Sequence, residues 1–499
     1  MRRLVHRGVL IPKAYEPKGF QISVKERGIA LTPNQEEMAV AWVKKLETEY
    51  VKDSVFVKNF FKDFTNALGL EEELAPEDFD FSEIIKFIEN EKLKKLSISK
   101  EERKRLAAER KTVREANKVK YSHAEVDGVK VELGNYMVEP SCIFMGRGKH
   151  PLRGRWKEGA GQSDVILNLS PDAPTPEGNW KGRIWQPDSM WVAKWDDKLR
   201  GKEKYVWLSD SSTPKQEREI EKFDMATKLE KMMNKVRDHI ESNLQSEDPK
   251  RRKIATVCHL IDVLKFRVGD EKDKDEADTV GATTLRPEHI KIKPNGLTTF
   301  DFLGKDSVRF HKDVVLPEPV VRNIAQLKRT AKSTIFKGVR SDNVGEFLDE
   351  VMPGLTAKVF RTYHASKAVE QYLEEAKVSR DDPVYLKKHV AAMANLEAAK
   401  VCNHKRKLPK KWHESLAKKM ERLKKLRSTK TKKSRERAKE LGVKIETVKA
   451  TRDYNLGTSL KSYIDPRVYN EWFSKIGLDW KLFYTKTLQR KFSWVDWKA

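Results

Sequence analysis

The spacing of apolar residues changes twice along this chain, and this change restricts the fold more than any other feature of the sequence. Between residues 121 and 212, short apolar runs such as 165–167 and 191–193 are separated by glycine and proline, as in the loop at 171–178. That pattern is typical of short strands joined by turns. Residues 1 to about 17 are predicted to form an extended arm. Between residues 36 and 120, and from 213 to about 405 apart from one hairpin, apolar residues mostly follow helical spacing. The sequence therefore predicts an α+β fold of several domains.

Three segments carry the helical prediction. Thr213 and Pro214 are suited to start a helix, and an apolar stripe follows them. The stripe, which we expect to face the core, consists of Phe223, Ala226, Leu229, Met232, Val236 and Ile240. Asp382 and Pro383 start a second helix that runs toward His404. The strongly charged segment 94–120 has little apolar periodicity, which predicts a solvated helix.

The most basic segment covers residues 405–440, which contain 17 lysines and arginines but only 4 glutamates. Two narrow apolar seams, one on each side of residues 428–431, predict two helices folded back as a charged hairpin. Contact with a polyanion and plain solvation explain such a charge equally well, so both interpretations stay open.

The overall charge points to a polyanionic partner. Lysine and arginine total 101 against 75 acidic residues, a net charge of +26 over 499 residues, and such a field attracts nucleic acid. A merely soluble basic protein and a ribosome-bound or RNA-bound scaffold are the alternatives. The three cysteines are far apart and form no CxxC pair, which speaks against a disulfide framework or a structural zinc site. No apolar run is long enough to predict a membrane-spanning helix.

The segments that resemble nucleotide-binding or metal-binding motifs lack residues that those motifs require. Gly304 and Lys305 do not form a phosphate-binding loop, because position 299 is threonine and position 306 is aspartate. The acidic run 270–278 lacks the glycine and the final glutamate of a calcium loop. We therefore expect a reaction that needs no cofactor and no dedicated metal site.

Six segments together carry a resemblance to a known family. They read Gly-Arg-Gly-Lys-His-Pro at 146–151, Phe-Arg-Val-Gly-Asp-Glu-Lys at 266–272 with Ala-Asp-Thr-Val-Gly at 277–281, Phe-Asp-Phe-Leu-Gly-Lys-Asp-Ser at 300–307, Leu-Thr-Ala-Lys-Val-Phe-Arg-Thr-Tyr at 355–363, Val-Cys-Asn-His-Lys-Arg at 401–406, and Tyr-Ile-Asp-Pro-Arg at 463–467. In content, order and spacing they resemble the eukaryotic-type (type IB) DNA topoisomerases, and the likeness extends over nearly the whole chain.

The resemblance implies an ATP-independent DNA topoisomerase that cuts one strand, allows rotation and reseals the strand, relaxing supercoils of either sign without an obligatory metal. It makes Tyr463 the nucleophile of a 3′-phosphotyrosyl intermediate. Arg267, Arg361 and His404 would stabilise the transition state, and Lys305 would be the general acid. The residues expected to bind DNA are Lys305, Asp306, Arg147, Lys149, Lys405 and Arg406.

General chemistry supports these roles. A phenol has a pKa of about 10, so its attack on a phosphodiester needs nearby positive charge. Guanidinium groups stay charged and offer paired donors to phosphate oxygens. His404 follows a predicted helix, and we expect the helix dipole to favour its protonated ring. Lys305 separates two alternating segments, which predicts a lysine at a hairpin tip, oriented by Asp306. Asp465 and Pro466 predict a helix start just after Tyr463.

The resemblance also implies a multidomain DNA clamp with a mixed α/β upper lobe, a mainly helical catalytic lobe related to tyrosine recombinases, and a helical-hairpin linker. The expected divisions are 1–17 with 121–212 and 18–120 for the upper clamp, 213–405 for the catalytic core, 406–447 for the linker and 448–499 for the C-terminal domain. We expect a monomer that binds double-stranded DNA and no membrane, located with the chromosome: in the nucleus of a eukaryote, or in the cytoplasm or nucleoid of an archaeon.

The sequence departs from the family pattern in places. Ser462 and Asp270 stand where asparagine is common, and neither change removes a catalytic group. The long charged N-terminal tail of the nuclear enzymes does not precede Met1, as expected of an archaeal member or a shortened chain.

Two rival functions share these residues. A tyrosine recombinase usually has a His-x-x-Arg box, whereas Lys358 precedes Arg361 here. A DNA-binding scaffold that lost catalysis would not need all five catalytic positions filled.

Overall fold

The structure is a computed structural model that describes residues 1–72, 74–270, 278–429 and 431–498. The side chains of Asp306, Trp497 and Lys498 lie outside this description. So do residues 271–277, which hold part of one family motif and most of the acidic run, and Lys430 at the break in the basic segment. The chain divides into two compact units, the first up to Lys215 and the second from Gln216 onward.

In its described residues, the first unit contains four α-helices and most of the strands. Its elements are β1 (Leu4–His6), β2 (Gln21–Val24), β3 (Arg27–Ala30), α1 (Pro33–Val43), α2 (Ser54–Ala67), β4 (Phe79–Asp80), α3 (Ser82–Ser97), α4 (Lys100–Tyr121), β5 (His123–Val126), β6 (Val129–Glu132), β7 (Cys142–Ile143), β8 (Trp156–Lys157), β9 (Ile166–Asn168), β10 (Gly182–Ile184), β11 (Trp191–Asp196) and β12 (Glu203–Trp207).

Two separate cores stabilise the first unit. The sheet β1-β5-β6 and the sheet β10-β9-β11-β12 share one core, which includes the fully buried Leu167 and Val206. Helices α1 and α2 form the other core with the sheet β3-β2-β4, and Trp42 stacks on Phe60 there with ring centroids 4.7 Å apart. The predicted solvated segment 94–120 is helical but divided: its first residues end α3 at Ser97, and α4 begins at Lys100 and buries no residue.

The second unit is mainly helical. Its elements are α5 (Thr213–Asn243), α6 (Pro249–Leu264), β13 (Ile290–Ile292), β14 (Leu297–Gly304), β15 (Val308–Val315), α7 (Glu318–Thr330), α8 (Ser341–Asp349), α9 (Ala357–Glu375), α10 (Val384–Val401), α11 (Trp412–Ser428), α12 (Lys432–Ala450), α13 (Leu456–Ser462), α14 (Pro466–Lys475) and α15 (Lys486–Lys491). Helix α5 begins in the last residues of the first unit.

Two apolar cores also divide the second unit. One lies among α5 to α8, the start of α9 and the antiparallel sheet β13-β14-β15. The other packs α9 and α10 against the C-terminal segment and includes Tyr469, Phe473 and Trp494. The predicted apolar stripe of α5 is buried in these cores, with one difference. Met233 is buried, whereas the predicted Met232 is only partly buried. The basic segment forms the predicted hairpin of α11 and α12, and α12 also contacts α10.

The mixture of helices and short strands confirms the α+β prediction. Within the described ranges, no helix combines the length and the apolar character that crossing a membrane requires.

Candidate active site

Tyr463 lies between two short helices of the second unit. It follows α13 directly, and its N–H donates to the Ser459 carbonyl at 2.9 Å. Asp465 caps α14 by accepting from the Arg467 N–H at 2.9 Å, as predicted for a helix that starts at Pro466. Tyr463 is only 5% exposed, because it packs into the C-terminal core.

Arg361 and His404 pack against the ring of Tyr463. The Arg361 guanidinium lies 5.0 Å from the ring centroid, and the His404 ring centroid lies 4.9 Å from it. Arg361 comes from the second turn of α9 and His404 from the loop after α10, so a helix and a separate loop bring the two groups to one tyrosine. Both side chains are buried. The arrangement holds cationic and hydrogen-bonding groups beside a phenol.

The Arg361 guanidinium is fixed by backbone acceptors. One Nη donates to the Lys265 carbonyl, and the other donates to the Cys402 carbonyl at 2.9 Å and to His404 Nε2 at 3.3 Å. Its Nε–H is buried without an acceptor among the described residues. Since arginine has five N–H donors, two remain for a further acceptor such as an anion.

His404 is neutral at ordinary pH. Burial, with the positive charges of Arg361 and Arg267, lowers its pKa from 6.5 to about 3. The expectation of a protonated ring was wrong, because the weak helix dipole acts against desolvation and two nearby guanidinium groups. The remaining ring nitrogen, Nδ1, lies 2.7 Å from the Ser459 hydroxyl.

Arg267 follows α6, which ends at Lys265 in the left-handed conformation. Its loop is held by a close backbone contact: the Ala282 N–H donates to the Arg267 carbonyl at 2.9 Å. Gly269 and Gly281 face each other there, and a Cβ added to Gly281 would lie 2.5 Å from the Gly269 Cα. Only glycine permits this approach. The two glycines therefore set the backbone that carries Arg267.

Lys305 lies at the predicted hairpin tip. Strands β14 and β15 pair up to Gly304 and Val308, and Lys305 stands exposed in the turn between them. The Asn403 amide donates to the Arg309 carbonyl of β15 at 3.2 Å, which ties the hairpin to the loop that carries His404. The Asp306 side chain, predicted to orient Lys305, lies outside the described residues.

One cavity of about 160 Å³ is lined by Arg267, Lys305, Arg361 and His404, and Tyr463 packs against two of these residues. All five predicted catalytic residues therefore come together within the second unit. A small space bordered by two guanidinium groups and an imidazole is suited to a tetrahedral anion, because these groups supply donors from several directions. Among the described residues, no cluster of potential metal ligands occurs.

The other predicted DNA-binding residues lie at two places. Lys405 also lines the cavity, and the Arg406 N–H donates to the Asp453 carbonyl at 2.9 Å, with both side chains exposed. Arg147 and Lys149 are exposed in a loop of the first unit, where Gly146 and Gly148 adopt positive φ.

Sequence reasoning missed the residues that hold the segment before Tyr463. Lys222 of α5 donates to the Ser462 carbonyl at 3.2 Å, and Lys491 donates to the Lys461 carbonyl at 3.0 Å. Both lysines pair with Glu219, at 2.8 and 3.1 Å. Burial lowers the pKa of Lys222 to about 8. These residues are far apart in the sequence, and no local pattern reveals them.

Models of one protein family match almost the whole chain. Residues 1–208 match "Eukaryotic DNA topoisomerase I, DNA binding fragment" and residues 211–439 match "Eukaryotic DNA topoisomerase I, catalytic core". Residues 435–498 match "C-terminal topoisomerase domain".

Curated relatives agree with this assignment. DNA topoisomerase 1 beta of Arabidopsis thaliana is 34% identical over 550 residues, covering 99% of this chain and 58% of the relative. DNA topoisomerase 1 of Drosophila melanogaster is 32% identical, covering 99% of this chain and 54% of the relative. The human DNA topoisomerase 1 is 31% identical, covering 99% of this chain and 70% of the relative. This chain thus spans little more than half the length of the plant and fly proteins, and each match covers 99% of this chain. The chain belongs to the eukaryotic DNA topoisomerase I family.

Proposed function

We propose that this protein is a type IB DNA topoisomerase that relaxes positive and negative supercoils in double-stranded DNA. The observation that carries the proposal is the packing of Arg361 and His404 against the ring of Tyr463, at 5.0 and 4.9 Å. A phenol with no chemical role would not need a guanidinium from a helix and an imidazole from a separate loop beside it.

In the proposed reaction, Tyr463 Oη loses its proton to solvent and attacks the phosphorus of one DNA strand. The bond from phosphorus to the 5′-oxygen breaks, which leaves a 3′-phosphotyrosyl link and a free 5′-hydroxyl. One phosphodiester replaces another, so the step is nearly neutral in energy and needs no ATP. After the free strand rotates, its 5′-hydroxyl attacks the phosphotyrosine and restores the original bond.

The charge of the transition state is distributed over the nonbridging oxygens. Arg361 and Arg267 donate to these oxygens, and the two donors that Arg361 has left over are suited to this contact. His404 acts as a neutral hydrogen-bond donor, in line with its lowered pKa. Lys305 gives a proton to the leaving 5′-oxygen, as its place at an exposed tip beside the same cavity allows.

Both units take part in DNA binding in this proposal, and most contacts go to phosphates, because relaxation needs little sequence information. We further propose the clamp organisation that the resemblance implies, with residues 213–405 as a recombinase-related catalytic lobe and 406–447 as a linker. The protein would work as a monomer associated with the chromosome.

The test is relaxation of supercoiled plasmid with EDTA and without ATP. The wild type should relax both supercoil signs, and Tyr463→Phe should relax neither, because it keeps the ring and loses the nucleophilic oxygen. Tyr454→Phe is the matched control: it removes a hydroxyl from a nearby tyrosine and should remain active. Denaturing gels should show protein joined to the 3′ end of the break, and attachment at the 5′ end would contradict the scheme.

The same experiments separate the rival functions. A recombinase would join two copies of a specific DNA site, whereas this protein should act on plasmids without a common site. A non-catalytic scaffold would bind the plasmid, with the steep salt dependence of phosphate contacts, but would leave it supercoiled.

A further inference from the structure

One serine contacts both His404 and the backbone of Tyr463. The Ser459 hydroxyl lies 2.7 Å from His404 Nδ1. The Ser459 carbonyl accepts the N–H groups of Tyr463, at 2.9 Å, and Ile464, at 3.1 Å. Ser459 is fully buried, so water does not substitute for either contact. A single residue thus connects the histidine ring to the segment that carries the nucleophile.

The hydrogen bonds define where the single proton of the neutral His404 ring lies. Arginine can only donate, so the 3.3 Å contact from Arg361 makes Nε2 an acceptor. The proton is then on Nδ1, which donates to the Ser459 hydroxyl. To donate to a phosphate oxygen, however, His404 needs its proton on Nε2, the nitrogen that faces Arg361.

A serine hydroxyl is suited to this change because it can either accept or donate a hydrogen bond. When a phosphodiester enters, its charge draws the Arg361 N–H onto the phosphate oxygens and frees Nε2. Nε2 first takes up a proton from water in the cavity that His404 lines. A local opening then lets Nδ1 release its proton to solvent, and the Ser459 hydroxyl turns to donate to Nδ1. The ring carries one proton before and after this change, and the heavy atoms of His404 and Ser459 end where they began.

We propose that Ser459 is a positioning residue for the cleavage reaction, which holds the His404 ring in place and stabilises the tautomer that donates from Nε2. This inference rests on the proposed function. It assigns Ser459 no contact with the DNA: its effect on the reaction passes through His404 alone.

A double-mutant cycle tests that dependence. Single-turnover cleavage is measured on a duplex whose cut strand ends shortly after the cleavage point, so that the leaving piece diffuses away. Ser459→Ala should slow cleavage by about tenfold, the rate equivalent of one buried hydrogen bond. In a His404→Asn background, the same substitution should change the rate by less than about twofold. Ser459→Cys, which keeps the side-chain volume, should resemble alanine.

Ser366→Ala is the matched control. The Ser366 hydroxyl also contacts the backbone beside the nucleophile, donating to the Tyr463 carbonyl at 3.4 Å and accepting from the Asp465 N–H at 2.9 Å, but it does not contact His404. Whatever rate change Ser366→Ala causes should therefore be equal in both backgrounds. Thermal unfolding of each variant separates a loss of fold from a loss of rate.

Equal slowing by Ser459→Ala in both backgrounds would overturn the inference and make Ser459 a purely structural residue. So would an unchanged rate in Ser459→Ala, or full activity in His404→Asn. If the wild type does not cleave at all, the proposed function fails as well, whereas an active wild type with additive variants refutes the role of Ser459 alone.

Discussion

His404 should make the protein without DNA sensitive to acid. In the unfolded chain the histidine takes up a proton with a pKa near 6.5, whereas burial and two arginines lower the pKa in the folded protein to about 3. Between these values the unfolded state binds the extra proton, so the free energy of unfolding falls as the pH falls. Each pH unit below 6.5 costs about 1.4 kcal/mol, which gives about 2 kcal/mol at pH 5. Above pH 6.5 the residue has no such effect.

The measurement compares wild type with His404→Asn by urea unfolding, followed by tryptophan fluorescence at about pH 7.5 and about pH 5. Both proteins contain the same other titrating groups, so the difference between them isolates the histidine. We expect the wild type to lose about 2 kcal/mol more than the variant over this interval. Parallel losses in the two proteins would refute the low pKa, and with it the neutral ring used in the proposed mechanism.

Two further substitutions address the groups around the phenol. Arg361→Lys should lower the single-turnover cleavage rate by on the order of 100-fold, because lysine lacks the paired donors. It should also lower the free energy of unfolding by about 1–3 kcal/mol, because the Lys265 and Cys402 carbonyls lose their donors. Gly281→Ala should cost about 1–3 kcal/mol by urea unfolding, because its Cβ would lie 2.5 Å from the Gly269 Cα. Gly345→Ala, in a helix with open space around the added carbon, is the control and should be neutral or stabilising.

Local features of the site could be predicted from the sequence. The helix start at Pro466 depends on neighbouring residues, and so does the hairpin turn at Lys305, so sequence patterns were sufficient for both. The break between α11 and α12 was likewise visible as a gap between two apolar seams.

Contacts between distant segments could not be predicted in this way. Ser459 meets His404 across 55 residues, and no spacing rule connects a serine to a particular histidine. Gly269 and Gly281 each look like ordinary turn glycines, and only their backbone contact explains both. The prediction that His404 is protonated was wrong for a related reason. A helix end can be recognised in the sequence, but the depth to which a side chain is buried depends on the whole fold.

The unequal exposure of the five groups affects when the site becomes complete. Tyr463, Arg361 and His404 are packed in place, so their arrangement exists before any substrate arrives. Lys305 stands on an exposed turn, where surrounding contacts restrict it least. We expect the bound duplex itself to bring that lysine into its working position. In the proposed reaction, departure of the 5′-oxygen would then depend on correct seating of the DNA, so poorly seated strands would stay intact.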